Sequence, residues 1–135
     1  MNTLILQEEI QQFLDRNAQE SPAKIALKKT PFEGISPSEL ATQLDGKQRA
    51  STKIPLWAKT PGIYFPPKLN LEQCSSEKTA LFKSTLINKG THLVDATSGF
   101  GVDSFYFSTQ AAKVTACELN PELAAISKHN AAVLK

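Results

Sequence analysis

Apolar residues recur at helical spacing over residues 4–16, where Leu6, Ile10, Phe13 and Leu14 share one face, which predicts an amphipathic helix. Ser21-Pro22 then offers an N-cap and a proline at the first helical position, opening a short helix through Leu27. Alternation of Ala23, Ile25 and Leu27 fits a strand there almost as well. "SPSE" at 36–39 is a stronger start signal: Ser36 caps, Pro37 sits at N1 and Glu39 completes a capping box ahead of Leu40, Ala41 and Leu44. Gly46 is the expected end of that helix.

From Lys47 to Leu71 the pattern breaks down, with four prolines, five basic residues and no acid. This reads as an irregular connector with one short strand near Ile63–Phe65. Asn70 and Gln73 stand at capping-box spacing, with Ser75 or Ser76 as a second possible cap. They open a predicted helix with Leu81, Phe82 and Thr85 inward, closed by Gly90. "THLVDAT", "GVDSFYFSTQAA", "KVTACEL" and "NPELAAISKHNAAVLK" then read as strand, helix, strand and helix, the last with Asn120 as cap and Pro121 at N1. The order predicts the opening of a parallel sheet with right-handed crossovers, an α/β segment in a chain that is α+β overall. Residues 1–69 form a mainly helical accessory module with its connector, and 70–135 the start of a second domain. Two parallel strands leave sheet faces and edges without neighbours, so the reading expects the N-terminal, truncated part of a longer protein. A complete small α+β domain is the alternative.

Composition narrows the class. With 41% hydrophobic and 21% charged residues the chain reads as globular, and 15 basic against 13 acidic residues do not by themselves imply a nucleic-acid partner. Cys74 and Cys117 form no CxxC and have no histidine pair nearby, which argues against a disulfide framework or a metal site and for a reducing cytoplasm. The apolar start lacks a basic flank and runs into Glu8 and Glu9, unlike a signal peptide or membrane span. Both cysteines are expected to pack as small apolar groups, and His92 and His129 to be surface or capping residues.

The candidate chemistry lies in "LVDATSGFGVDSF", residues 93–105. A strand that ends in a glycine turn and feeds a helix suits a nucleotide-like ligand, because the backbone can be approached closely. A dinucleotide pyrophosphate wants the G-x-G-x-x-G/A pattern. Here Ser104 replaces the third small residue, and Asp103 would face the phosphates. S-adenosylmethionine, with a positive sulfonium and amino group, tolerates acids there. Asp95 can accept from its amino-acid portion, Gly99 and Gly101 clear room, and Glu118, 23 residues after Asp95, can accept from both ribose hydroxyls.

These residues carry a resemblance. "VDATSGFGVDSF", "CELNPEL" and "SKHN" resemble the first two motifs of class I, Rossmann-like S-adenosylmethionine-dependent methyltransferases. "DATSGFGVDSF" is similar to the form found in bacterial ribosomal small-subunit guanine methyltransferases. "LEQCSSEKTALFK" with "GFGVDSF" resembles bacterial methyltransferases that carry a THUMP-like C-terminal domain, and "KIPLWA" is similar to a segment those proteins have before the catalytic domain. The resemblance covers residues 70–134 well and residues 1–69 vaguely. It implies that Asp95 and Gly99 line the methionine end, that Val102 and Asp103 contact the ligand through backbone and carboxylate, and that Glu118 holds the ribose. Thr97 stands where those enzymes usually have the first glycine and would bring a hydroxyl near the ligand. Ser75, Ser76 and Thr79 would lie over the cofactor. The implied activity is methyl transfer to a base amine of RNA, with no metal and no membrane. The Asn/Asp/Ser-Pro-Pro-aromatic loop that accepts the target amine follows a fourth strand, so these 135 residues are expected to be inactive alone. "YFPP" at 64–67 precedes the glycine turn and does not qualify.

Two other readings stand beside this one. One is part of an NAD(P)- or FAD-dependent oxidoreductase using the same turn. The other is a non-enzymatic RNA-binding module, in which Lys47, Arg49, Lys53, Lys59 and Lys68 track phosphates and Trp57 stacks on a base. The bland reading of that stretch is a solvated connector whose Trp57 plugs the core.

Overall fold

The computed structural model describes residues 1–135. A 3-10 turn at Thr3–Leu6 leads into helices α1 (Glu8–Arg16), α2 (Pro22–Ala26), α3 (Pro37–Lys53), α4 (Pro55–Lys59), α5 (Lys68–Gln73) and α6 (Glu77–Ser84). Then come strand β1 (His92–Asp95), α7 (Val102–Phe107), β2 (Lys113–Ala116) and α8 (Pro121–Val133). β1 and β2 pair in parallel, His92 opposite Lys113 through Asp95 opposite Ala116. The fold is thus a helix-rich mixture around one small parallel sheet. No helix is long and apolar enough to cross a membrane.

The start signal at Ser36 acts as read, whereas Ser21 makes no side-chain cap bond and Asn70 lies inside a helix. Ser36 Oγ accepts from the Glu39 N–H, and the Glu39 carboxylate accepts from the Ser36 N–H at 2.8 Å. That backbone bond, helped by Asn2 and the Ser36 hydroxyl, holds the Glu39 carboxyl below its ordinary range. Pro22 opens a helix rather than a strand, with Ile25 buried. The first predicted helix is interrupted: Gln7 is extended between the 3-10 turn and α1, and Ile5, Ile10 and Leu14 are the buried positions.

Three expectations are corrected. α3 does not stop at Gly46 but runs on to Lys53. Gly46 is buried, and a β-carbon placed there would lie 2.3 Å from Phe65 Cβ, so the glycine admits a crossing segment and caps nothing. Gly46→Ala would gain up to about 1 kcal/mol from helix propensity elsewhere. Here it is expected to destabilise by about 1–3 kcal/mol through overpacking, read as a lower urea midpoint at unchanged slope. Next, the connector holds two helices, α4 and α5, and its predicted strand is absent. Ile63, Tyr64 and Phe65 are buried and extended, but side-chain amides take the place of strand neighbours. Gln43 exchanges two bonds of 2.8 Å with the Phe65 backbone, and Asn130 two of 2.9 Å with that of Tyr64. Finally, the helix predicted from Asn70 to Gly90 is broken at Cys74–Ser76. Ser76 caps α6 by accepting from Thr79 N–H, and the expected inner residues Leu81, Phe82 and Thr85 are exposed while Ala80 and Ser84 are buried. α6 packs on α7.

One cluster of 20 buried residues reaches from Ile5 to Ile126. Trp57 is among them, 1% exposed, with its ring 5.0 Å from Phe105 and 5.9 Å from Tyr106 of α7. Burial, with Glu77 nearby, pushes the Tyr106 hydroxyl up to about 12, so it packs as a neutral ring.

Candidate functional site

The parallel register dictates how the site assembles. Asp95 faces Ala116, and past the strand ends the pairing continues: Cys117 N–H donates to Asp95 O at 2.8 Å and Ser98 N–H to Cys117 O at 2.9 Å. Glu118 therefore emerges directly across from the glycine turn. Its Oε2 accepts from Gly99 N–H at 3.0 Å and its Oε1 from Asn120 N–H at 2.8 Å. Asn120 in turn caps α8 by accepting from Glu122 and Leu123. One carboxylate thus ties the turn to the start of the following helix, and each of its oxygens keeps a further lone pair.

A cleft of about 320 Å³ opens beside this arrangement. It is lined by Thr97, Ser98, Gly99, Phe100, Val102 and Asp103 from the turn, by Glu118, Asn120 and Leu123 from the next rim, and by Asn70, Gln73, Cys74 and Ser75 from the end of α5. Of the seven residues singled out in the sequence, it brings together Thr97, Gly99, Val102, Asp103 and Glu118. Asp95 and Gly101 lie outside the lining. The Asp95 carboxylate is turned inward, accepting from Ser104 Oγ at 2.6 Å and Thr97 N–H at 3.3 Å, and so clamps α7 to the strand. Gly101 has φ of 86°, and a β-carbon there would clash with Ser127 Oγ, so it makes room for α8. Gly99 is different. Its φ is 55°, and nothing lies within 4 Å of where its β-carbon would be, leaving the turn bare on the open side.

Asp103 is the second acid in the lining. Its Oδ2 accepts from Ser75 Oγ and from Lys83 Nζ, both at 2.8 Å, while its Oδ1 is buried with no partner. Ser75 lines the cleft as expected; Ser76 and Thr79 are occupied in capping α6 instead. The α5 residues Asn70, Gln73 and Cys74 were not foreseen, and the signal that could have found them is the Cys-Ser-Ser break itself. Cys74 is half-buried with its thiol donating to Leu71 O at 3.1 Å, and burial pushes the thiol up, which suits a packing group and not a nucleophile. Cys117, expected to pack within its strand, is exposed just beyond it. His129 caps Gly62 O at 2.8 Å, and His92 is exposed.

Four of the five basic side chains of the connector have partners, and its aromatic ring is not exposed. Trp57 is buried, Lys47 pairs with Asp15, Arg49 with Asp45 and Glu72, Lys68 with Glu72, and Lys53 donates to the carbonyls of Leu71 and Glu72.

With this geometry in view, likeness to one solved structure is informative. The chain matches the crystal structure of a provisionally assigned methyltransferase from Porphyromonas gingivalis W83, with a TM-score of 0.81 and 33% identity. The match takes in 97% of this chain. It spans only 32% of that protein, about a third of its length. No family profile matches the chain, and no curated protein does either.

Proposed function

We propose that this cleft holds S-adenosylmethionine and that residues 1–135 are the N-terminal part of a class I methyltransferase. Residues 1–69 would act as its accessory module and 70–135 as the first half of its Rossmann-like cofactor domain. The observation that carries the reading is the charge of the lining: Glu118 has no cationic partner, Asp103 is balanced by Lys83 from outside the lining, and no lysine, arginine or histidine lines the cleft. A cationic ligand gains from the Glu118 carboxylate, whereas a pyrophosphate would be repelled by it, which counts against the NAD(P) or FAD reading. The volume lies at the low end of the usual range for small-molecule sites, roughly 300–1,000 Å³.

The ligand would supply an electrophilic methyl group on its sulfonium. In this chain, Glu118 would accept from the ribose hydroxyls with its remaining lone pairs while still holding the turn. Gly99 would let the ligand lie against the backbone, and Val102 and Leu123 would give it an apolar wall. Asp103, its charge balanced by Lys83, would border the methionine end. Nothing here acts as acid or base, so the contribution of these residues is alignment of the donor. The sheet supports a longer protein: Val94 of β1 is 66% exposed, and a groove of about 710 Å³ runs beside β2 and α8 past Val114, Leu119 and Ala131. Further strands and the acceptor-binding loop would complete it. An RNA amine as acceptor, a THUMP-like C-terminal domain and a cytoplasmic setting extend this proposal on the sequence resemblance, with two unpaired cysteines suiting a reducing compartment.

Calorimetric titration of the full-length protein with S-adenosylhomocysteine tests the reading. Saturable one-to-one binding is expected, with NAD and FAD giving no signal; tight dinucleotide binding in its place would reassign the site.

A further inference from the structure

The third side of the cleft is the end of α5, and it is built differently from the turn and the Glu118 rim. Leu71, 1% exposed, anchors α5 in the core, Glu72 pairs with Arg49 of α3, and Lys53 Nζ donates to the carbonyls of Leu71 and Glu72. With the helix so fixed, Asn70 and Gln73, three apart and therefore neighbours on its surface, line the cleft. Three amide side chains elsewhere are consumed by the fold: Gln43, Gln48 and Asn130 each make two bonds to backbone groups. Asn70 is half-buried and Gln73 exposed, and neither carboxamide bonds another group of the chain, so each keeps two donors and an acceptor. Gln73 lies two residues before Ser75, whose hydroxyl bonds Asp103, so this wall runs toward the Asp103 end of the cleft.

We infer that Asn70 and Gln73 hold the carboxylate of the ligand's α-amino-acid end, donating to it from their amide nitrogens. The inference rests on the cofactor reading above and adds to it the residues that recognise that end. Charge and elimination decide the assignment. A carboxylate needs donors, and no lysine, arginine or histidine lines the cleft. Among the side chains of this wall, Ser75 gives its proton to Asp103 and Cys74 gives its own to Leu71 O, which leaves the two carboxamides as the free donors. The charges then match along the ligand. Glu118, which has no cation beside it, attracts the sulfonium, and the zwitterionic end, with no net charge, meets neutral amides and an Asp103 balanced by Lys83. Because α5 is tied down before a ligand arrives, the donors are already in place, which is where preorganisation gains affinity.

Two ligands separate recognition from mere wall-building. S-adenosylhomocysteine carries both charged groups of the amino-acid end; its decarboxylated counterpart, S-adenosyl-3-thiopropylamine, keeps the amine and lacks the carboxylate. Calorimetric titration of the full-length protein is expected to show S-adenosylhomocysteine bound more tightly than the amine. Asn70→Leu combined with Gln73→Met should weaken S-adenosylhomocysteine about tenfold, or ~1.4 kcal/mol, and leave the amine within about twofold. Gln73→Glu, which puts a negative group where a donor stood, should weaken S-adenosylhomocysteine and tighten the amine. Gln73 is exposed, so this single substitution spares the fold and decides the matter should the double variant fail to fold. Equal losses for both ligands, no loss for either, or wild-type affinities that do not differ overturn the assignment and leave the cofactor reading standing. A wild-type protein that binds neither ligand removes that reading and this inference with it.

Discussion

Asn130→Leu is expected to destabilise the protein by about 2–6 kcal/mol. Leucine matches asparagine in shape but neither donates nor accepts, so Tyr64 would lose both backbone partners at once. Each orphaned buried backbone group costs about 1–3 kcal/mol. Tyr64 is 8% exposed and Asn130 1%, so water cannot easily replace the lost bonds. The consequence reaches further than one residue. Asn130 lies on α8, whose start is capped by Asn120 beside Glu118, and Tyr64 belongs to the segment that crosses α3 at Gly46. The amide therefore fastens the helix behind the cleft to the extended segment at Ile63–Phe65. Urea denaturation should show a large fall in midpoint for Asn130→Leu, whereas substitution of the exposed neighbour Ala132 should stay within about 0.5 kcal/mol of wild type. A change below about 1 kcal/mol for Asn130→Leu would mean that this clamp contributes little.

Glu118→Gln is expected to lower affinity for S-adenosylhomocysteine by about a hundredfold or more. Two hydrogen bonds from ribose hydroxyls to a charged acceptor are worth roughly 1.5–3 kcal/mol each, and a hundredfold corresponds to about 2.7 kcal/mol. Glutamine also disturbs what the carboxylate holds in place. Two backbone N–H groups, of Gly99 and Asn120, point at its two oxygens, and an amide offers them one acceptor and one donor. The turn would then have to shift before any ligand enters. Because Glu118 is only half-buried, the loss should appear mainly in binding and little in thermal stability. A dissociation constant within about threefold of wild type would show that the ribose is held elsewhere.

Which acid faces the cleft illustrates the limit of reading along the chain. The sequence presents Asp95, Asp103 and Glu118 as candidates around a glycine turn, each with its own role. Ser104 was the deciding residue, and in the sequence it is only the wrong residue for a dinucleotide turn. In space its hydroxyl takes up the Asp95 carboxylate and withdraws it from the cleft. Gly101 likewise reads as a ligand glycine, until Ser127 of α8 is found against it. Glu118, by contrast, was legible, because parallel pairing carries a residue two past the strand end to a place set by the register alone. The outward turn of Leu81 and Phe82 could not be foreseen, since an apolar arc on a short helix does not say which half meets its neighbour.

The sequence by itself determined whatever is decided within a few residues: the Ser36–Glu39 box, the prolines that open α2, α3 and α8, the bare left-handed turn at Gly99, and the strand–helix–strand–helix order after Gly90. Caps, fixed φ angles and positive-φ glycines act through atoms close along the chain, so their outcome can be read from neighbours. Only the tertiary structure decided that α3 passes through Gly46, that amide side chains stand in for a strand beside Tyr64 and Phe65, and that Lys83 stands behind Asp103. Each depends on what packs against a residue from far along the chain, through close sterics or a buried bond whose partner no local pattern encodes.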